Sequence, residues 1–225
     1  MKKFDVLVLS GGKGTRVKKF TKKIPKCLID INGKPFLYHQ LRYLKKNNFK
    51  NVLISIGYMG YKIDKYLKEN VDFINYKTIN DGNKLLGTGG ATLKALKYLK
   101  NYFFIIYGDS YLNFKIKNIK KNNLITMALL KNKNNYDKSN VEFTNIKRIK
   151  YFTKNKKKGL KYVDYGVSYA NKSIFKVLKI KGSFNLSDFY EKISKRNLLG
   201  GFIVKNRFYE IGSYNGIKEL RKHLK

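Results

Sequence analysis

The first strand and the loop it feeds narrow the possible folds more than any other part of the chain. Phe4-Asp5-Val6-Leu7-Val8-Leu9 is apolar and rich in β-branched residues, which marks a strand buried in a parallel sheet. It runs straight into Ser10-Gly11-Gly12-Lys13-Gly14-Thr15-Arg16. Gly11, Gly12 and Gly14 lack Cβ atoms, so the backbone can turn sharply there and bring successive N–H groups close to an anion. Arg16 and the later Pro25-Lys26 add two kinds of cation, a planar fork suited to phosphate oxygens and a mobile point charge. Two familiar glycine loops are excluded. The third glycine of G-x-G-x-x-G falls on Val17, and the Gly12-Lys13 pair is followed by Gly14 where a P-loop needs Ser or Thr. A tight turn with incidental glycines would explain the glycines but neither cation.

Downstream the pattern alternates between strands and helices. Phe36, Leu37, Leu41 and Leu44 fall on one helical face behind Pro35, residues 51–56 read as a strand, and Ile63, Tyr66 and Leu67 mark a second helix. Residues 71–76 read as the next strand. The glycines of Leu85-Leu86-Gly87-Thr88-Gly89-Gly90-Ala91 open a helix carrying Leu93, Leu96 and Leu99, and either present its free amides to a ligand or form a plain capping turn. Residues 102–107 form a strand that ends in Gly108-Asp109-Ser110; Asp109 there can hold a cation or cap a turn. Such alternation implies right-handed crossovers and ligands at the carboxyl ends of the strands. Strands are expected at 124–130, 141–143, 146–152, 161–170 and 200–204, with helices at 187–195, capped by Ser187, and at 214–224. The basic run 154–159 reads as a solvated hairpin turn.

Composition limits the remaining classes. A chain of 225 residues with 43% hydrophobic content suits one α/β domain over 1–225. No apolar run nears the ~20 residues that span a bilayer, so no membrane role and a cytoplasmic location are expected. The lone Cys27 can form no internal disulfide. The formal charge of +36 invites a nucleic-acid reading, yet only six of the 50 basic residues are arginine, the side chain on which base and phosphate recognition leans. Lys, Asn, Ile, Tyr and Phe are enriched together, as A/T-rich codons would enrich them. No specific nucleic-acid partner is expected, although the field should attract polyanions and speed the approach of an anionic nucleotide.

Leu9 to Arg16, Ile24-Pro25-Lys26 and Ile31-Asn32-Gly33-Lys34-Pro35-Phe36 together resemble the amino-terminal signature of the sugar-1-phosphate nucleotidyltransferases. Leu86-Gly87-Thr88-Gly89-Gly90-Ala91 and Gly108-Asp109 are similar to the family's next two motifs. The resemblance implies a three-layer, Rossmann-like α/β fold with a mostly parallel central sheet. It gives residues 1–112 to the nucleotide and 113–225 to the sugar phosphate. It places Leu9, Ser10, Gly11, Gly12, Gly14, Thr15, Gly87 and Thr88 on the nucleotide, makes Arg16 and Lys26 catalytic, and makes Asp109 and Glu210 the ligands of Mg²⁺. Lys154, Asp164 and Gly166 are implied at the sugar phosphate. The chain departs from the pattern at Gly82-Asn83-Lys84-Leu85, where Glu and Pro are frequent, at Thr153 where Glu is usual, at Asp164 where Asn is frequent, and at Glu210 in place of Asp in Asp-Ile-Gly.

The implied reaction joins an NTP and a sugar-1-phosphate into an NDP-sugar, with pyrophosphate leaving. Its nucleophile is already an anion, so no general base is needed and the work falls on positioning and charge neutralisation. The motifs are most similar to those of guanylyltransferases acting on D-glycero-D-manno-heptose-1-phosphate or mannose-1-phosphate, which favours GTP and surface-polysaccharide synthesis. Uridylyl, thymidylyl or cytidylyl transfer to another acceptor stays open, as does a non-catalytic nucleotide- or polyanion-binding protein on the same scaffold. Oligomeric state is left open, a homodimer included.

Overall fold

In the computed structural model, residues 3–119, 123–132, 135–144, 148–153, 159–178 and 180–225 are described. β1 (Phe4–Leu9) alternates its side chains between two cores: Val6 and Val8 enter one, Phe4, Leu7 and Leu9 the other. α1 (Phe36–Lys46) starts directly after the extended Pro35 and stops at Asn48, whose φ of 60° turns the chain. β2 (Asn51–Ile56) pairs parallel with β1, α2 (Gly60–Asn70) crosses back, and β3 (Asn75–Asn80) pairs parallel with β2. After α3 (Gly87–Ala95), β4 (Leu99–Tyr107) pairs parallel with the other side of β1.

The second half adds antiparallel strands. β5 (Ile125–Lys131), β6 (Val141–Phe143), β7 (Ile149–Phe152) and β8 (Tyr162–Asn171) precede α4 (Leu186–Ser194), β9 (Leu199–Val204) and α5 (Tyr214–His223). The principal sheet runs β7-β6-β8-β4-β1-β2-β3, with β5 bridging β8 to a parallel β9. The strands β4, β1, β2 and β3 form its parallel part, and β8 joins antiparallel at β4. Leu37, Leu41 and Leu44 of α1 and Ile63 and Leu67 of α2 fill one face, each fully buried and contributing about 1.5–3 kcal/mol. Ala91 and Ala95 of α3 with Phe189, Tyr190 and Ile193 of α4 fill the other. The result is the three-layer α/β arrangement expected. A third, smaller core joins Ile217 and Leu220 of α5 to Val17, Ile29 and Phe36, so the last helix clamps the loop region of the first strand.

Several expected boundaries move. The strand expected at 71–76 begins at Asn75: Val71 and Ile74 are buried, but Val71 N–H ends α2 on Leu67 O and neither belongs to the ladder. Leu99 opens β4 instead of extending α3. Asn185, not Ser187, stands before the first turn of α4, and it makes no side-chain capping bond. The expected strand at 146–152 is seen as Ile149–Phe152, residues 146 and 147 lying outside the described residues. Lys154 and most of the basic run also lie outside them.

Candidate active site

The carboxyl ends of β1, β2 and β4 open into a cleft of about 440 Å³. Leu9, Ser10, Gly11, Gly12, Gly14, Arg16 and Lys26 line one side, Gly87 and Thr88 another, and Asp109 lies at its head. The loop is fastened where it leaves the strand: Ser10 N–H donates to Ser55 O at 2.8 Å and Tyr58 N–H to Gly11 O at 3.0 Å. Among the described residues, the N–H groups of Gly11, Gly12, Lys13 and Gly14 have no backbone acceptor. Gly14 has φ of +65°, and a Cβ there would sit 3.1 Å from Lys26 Cβ, so this glycine lets the loop fold onto the Pro25-Lys26 turn. Thr15 is exposed and does not line the cleft.

Lys26 Nζ donates to Asp109 Oδ2 at 2.5 Å. Burial alone would raise the Asp109 carboxyl, but the Lys26 charge and hydrogen bond, with Arg16 behind, bring it below its ordinary value. Asp109 is therefore held ionised. Glu210 lies on a two-strand ribbon in which it faces Ser110, next to Asp109. Its carboxylate accepts from Gly212 N–H and Ser213 Oγ–H. A Cβ on Gly212 would lie 2.6 Å from Glu210 Oε2, 2.9 Å from Arg16 Nη2 and 3.1 Å from Lys26 Nζ, so both cations and Glu210 converge on this glycine.

Asp164 approaches from β8. Its Oδ1 accepts from Gly166 N–H at 2.8 Å within an irregular stretch of that strand. Gly166 has φ of +85°, and a Cβ there would fall 2.2 Å from Ser110 Oγ, so only glycine lets β8 come this near the Asp109 turn. Burial pushes Asp164 up to about 7; the Gly166 N–H opposes this and the nearby Asp109 adds to it. Asp164, Gly166 and Glu210 flank the cleft without lining it.

The glycines at the start of α3 do something other than expose amides. Gly89 N–H donates to Phe184 O at 2.9 Å and Gly90 N–H at 3.3 Å, while Phe184 N–H returns to Leu86 O at 3.0 Å. A Cβ on Gly89 would sit 2.1 Å from the Phe184 ring. The segment before α4 is thus strapped over these amides, and Thr88 Oγ1 accepts from Leu186 N–H at 2.8 Å. Gly87 and Thr88 remain open to the cleft, joined by Asn185 from the strap and Ser187 from the first turn of α4.

The sequence reading passed over Asp81. Its carboxyl is buried in the cleft wall with Oδ2 accepting from Leu86 N–H at 3.1 Å, while Oδ1 has no partner among the described residues. Burial raises it, against the Leu86 N–H, Lys94 and Ser55. The available signal was a carboxylate immediately after a strand, the same one that singled out Asp109. Cys27 also lines the cleft; burial pushes its thiol up to about 12, which leaves it protonated and inert.

The model of the nucleotidyl transferase family matches residues 5–201 of this chain. The chain belongs to the nucleotidyl transferase family. As a nucleotidyl transferase it is 31% identical, over 92% of its length and 94% of the relative's, to D-glycero-alpha-D-manno-heptose 1-phosphate guanylyltransferase of Campylobacter jejuni. The enzyme of that name from Aneurinibacillus thermoaerophilus is 28% identical, with 98% of each chain covered. Among solved structures, HddC from Yersinia pseudotuberculosis complexed with GMP-PN superposes with a TM-score of 0.84 at 25% identity, covering 99% of this chain and 100% of HddC. Among the described residues, no helix of this nucleotidyl transferase is long and apolar enough to cross a membrane. Hard oxygen donors for a cation are present in Asp109, whose Oδ1 is not the atom bound by Lys26, and in Glu210, whose carboxylate keeps lone pairs beyond its two turn bonds.

Proposed function

We propose that this nucleotidyl transferase makes GDP-sugar and pyrophosphate from GTP and a sugar-1-phosphate, with D-glycero-α-D-manno-heptose 1-phosphate as the first acceptor to try. The observation that carries this reading is one cleft wall on which the unpaired amides of Gly11 to Gly14, Arg16, Lys26 and an ionised Asp109 meet. The amides and Arg16 would hold the triphosphate, and Lys26 would pass from Asp109 to the α-phosphate as charge builds there. An oxygen of the sugar phosphate attacks the α-phosphorus, its bond to the bridging oxygen breaks, and pyrophosphate carries the electron pair away. Asp164 and Gly166, which flank the cleft, would meet sugar hydroxyls beside that oxygen.

Mg²⁺ is the cofactor this donor set suits, since it is ordinarily bound by one or two carboxylates together with substrate phosphates. Asp109 and Glu210 would hold it, and it would neutralise phosphate charge in the reacting complex. Asp81 supports the choice of base. Asp81 belongs to the cleft wall, and its buried Oδ1 has no partner among the described residues; a carboxylate there would accept from the N1–H and amino group that guanine offers, whereas adenine and cytosine present an acceptor at the matching ring nitrogen.

The test is Mg²⁺-dependent pyrophosphate release with GTP, UTP, dTTP, CTP and ATP against a panel of sugar-1-phosphates. GTP with the heptose phosphate should be the best pair and ATP and CTP silent; no release from GTP with any acceptor sinks the proposal. Arg16→Ala and Asp109→Asn should each lower kcat by about 10²–10³ with the fold intact.

A further inference from the structure

One buried polar side chain outside the cleft has no part in the chemistry above. Gln40 is 1% exposed and lies in the second turn of α1. Its Nε2 donates to Tyr107 O and to Ser110 O, each at 3.0 Å. Those two carbonyls bracket Gly108 and Asp109, so a single amide group spans the turn that carries the Asp109 carboxylate. Carbonyl oxygens only accept, so the NH₂ group must face them, and Oε1 is left with no partner among the described residues. An apolar side chain of equal length would fill this space without burying that oxygen. The two donors are what the position gains.

The same helix also holds the other half of the ion pair. Phe36 N–H, at the start of α1, donates to Ile29 O at 2.9 Å, and Ile29 N–H donates to Lys26 O at 3.1 Å. Lys26 is thereby fixed to one end of α1 and Asp109 to a point one turn further along. We infer that Gln40 is a positioning residue that sets the Asp109 carboxylate against Lys26 and toward the cation site, with α1 as the common mount for both charges. This inference rests on the reading that Asp109 holds Mg²⁺.

The test compares wild type with Gln40→Met, which keeps the volume and removes both donors. Binding of the protein to Mn²⁺–GTP, followed by water-proton relaxation, should weaken by about 10–100-fold, as is typical when a partner of a metal ligand is removed. GTP binding in EDTA should be unchanged, and the Mg²⁺ needed for half-maximal pyrophosphate release should rise. Unchanged Mn²⁺–GTP binding in folded Gln40→Met overturns the inference. So does an equal loss of metal-free GTP binding, which would make Gln40 a general support of the cleft. If Gln40→Met does not fold, Gln40→Asn replaces it, since an amide one methylene shorter cannot reach both carbonyls and should weaken Mn²⁺–GTP binding in the same sense. In ¹⁵N-labelled wild type the Gln40 side-chain NH₂ should exchange slowly; exchange as fast as in a free glutamine overturns the inference whatever the variants do. A wild type that binds Mn²⁺–GTP yet releases no pyrophosphate removes the proposed function, while the relaxation and exchange measurements still decide the role of Gln40.

Discussion

Asp164 carries a pH dependence whose sign follows from its surroundings. Burial lifts its carboxyl from 3.8 to about 7, so between those values the folded protein keeps a proton that the unfolded chain has lost. Stability contributed by this group is therefore complete below about pH 4 and falls as pH rises toward about 7, by at most about 1.4 kcal/mol per pH unit. Asp164→Asn keeps an acceptor for Gly166 N–H and removes the titration. Urea unfolding from pH 4 to 8 should show the difference between variant and wild type growing in the variant's favour up to pH 7 and then levelling. A flat difference would mean that Asp164 is solvated in the folded protein. At this scale the sequence was informative wherever function needs several unusual residues in tandem. Gly11, Gly12, Gly14 and Arg16 lie in one run, with Lys26 ten residues on, and Asp109 follows a strand into a glycine turn. Asp81 escaped notice because the strand it follows was expected to end at residue 76 rather than at Asn80, and Gln40 was not legible, because an isolated Gln shows nothing until the chain brings Tyr107 O and Ser110 O against it.

Elements were legible in proportion to their burial. β1 and β2 read correctly because apolar side chains occupy both of their faces. β3 is an edge strand paired on one side only, and its mixed polar sequence gave way to Val71, Phe73 and Ile74 beside it, of which Val71 and Ile74 are buried without joining the ladder. The glycines of α3 were noticed, but their partner, a strap more than ninety residues away, could not be. Gly89→Ala separates the two effects cleanly. Helix propensity alone would stabilise the variant by about 0.8–1 kcal/mol. The added methyl instead meets the Phe184 ring, and overpacking of this kind costs about 1–3 kcal/mol, so the variant should unfold at lower urea. A higher midpoint would show that the strap yields easily.

For the molecule as a whole, +36 over 225 residues means strong self-repulsion, with 14 acidic side chains to offset 50 basic ones. Added salt should stabilise this protein. Raising NaCl from 20 to 300 mM shortens the screening length to well under about 10 Å, and a gain of about 1 kcal/mol would appear as about 2–4 °C in Tm. A Tm that falls would point to ion pairs such as Lys100–Asp5 outweighing the repulsion. The three-layer architecture was legible at this scale because β and α patterns alternate through the first half; the antiparallel half was less so, its short strands being joined by long polar connections. The order of pairing also bears on how the chain is made. β1, β2, β3 and β4 pair among themselves, so the ladders that join these four strands can form once residue 107 has emerged from the ribosome, and the outer edge of β4 alone waits for β8. β5 must wait for β8 and β9, roughly forty to seventy residues later. Synthesis can thus proceed in two stages, the first half serving as the template on which the second is laid down.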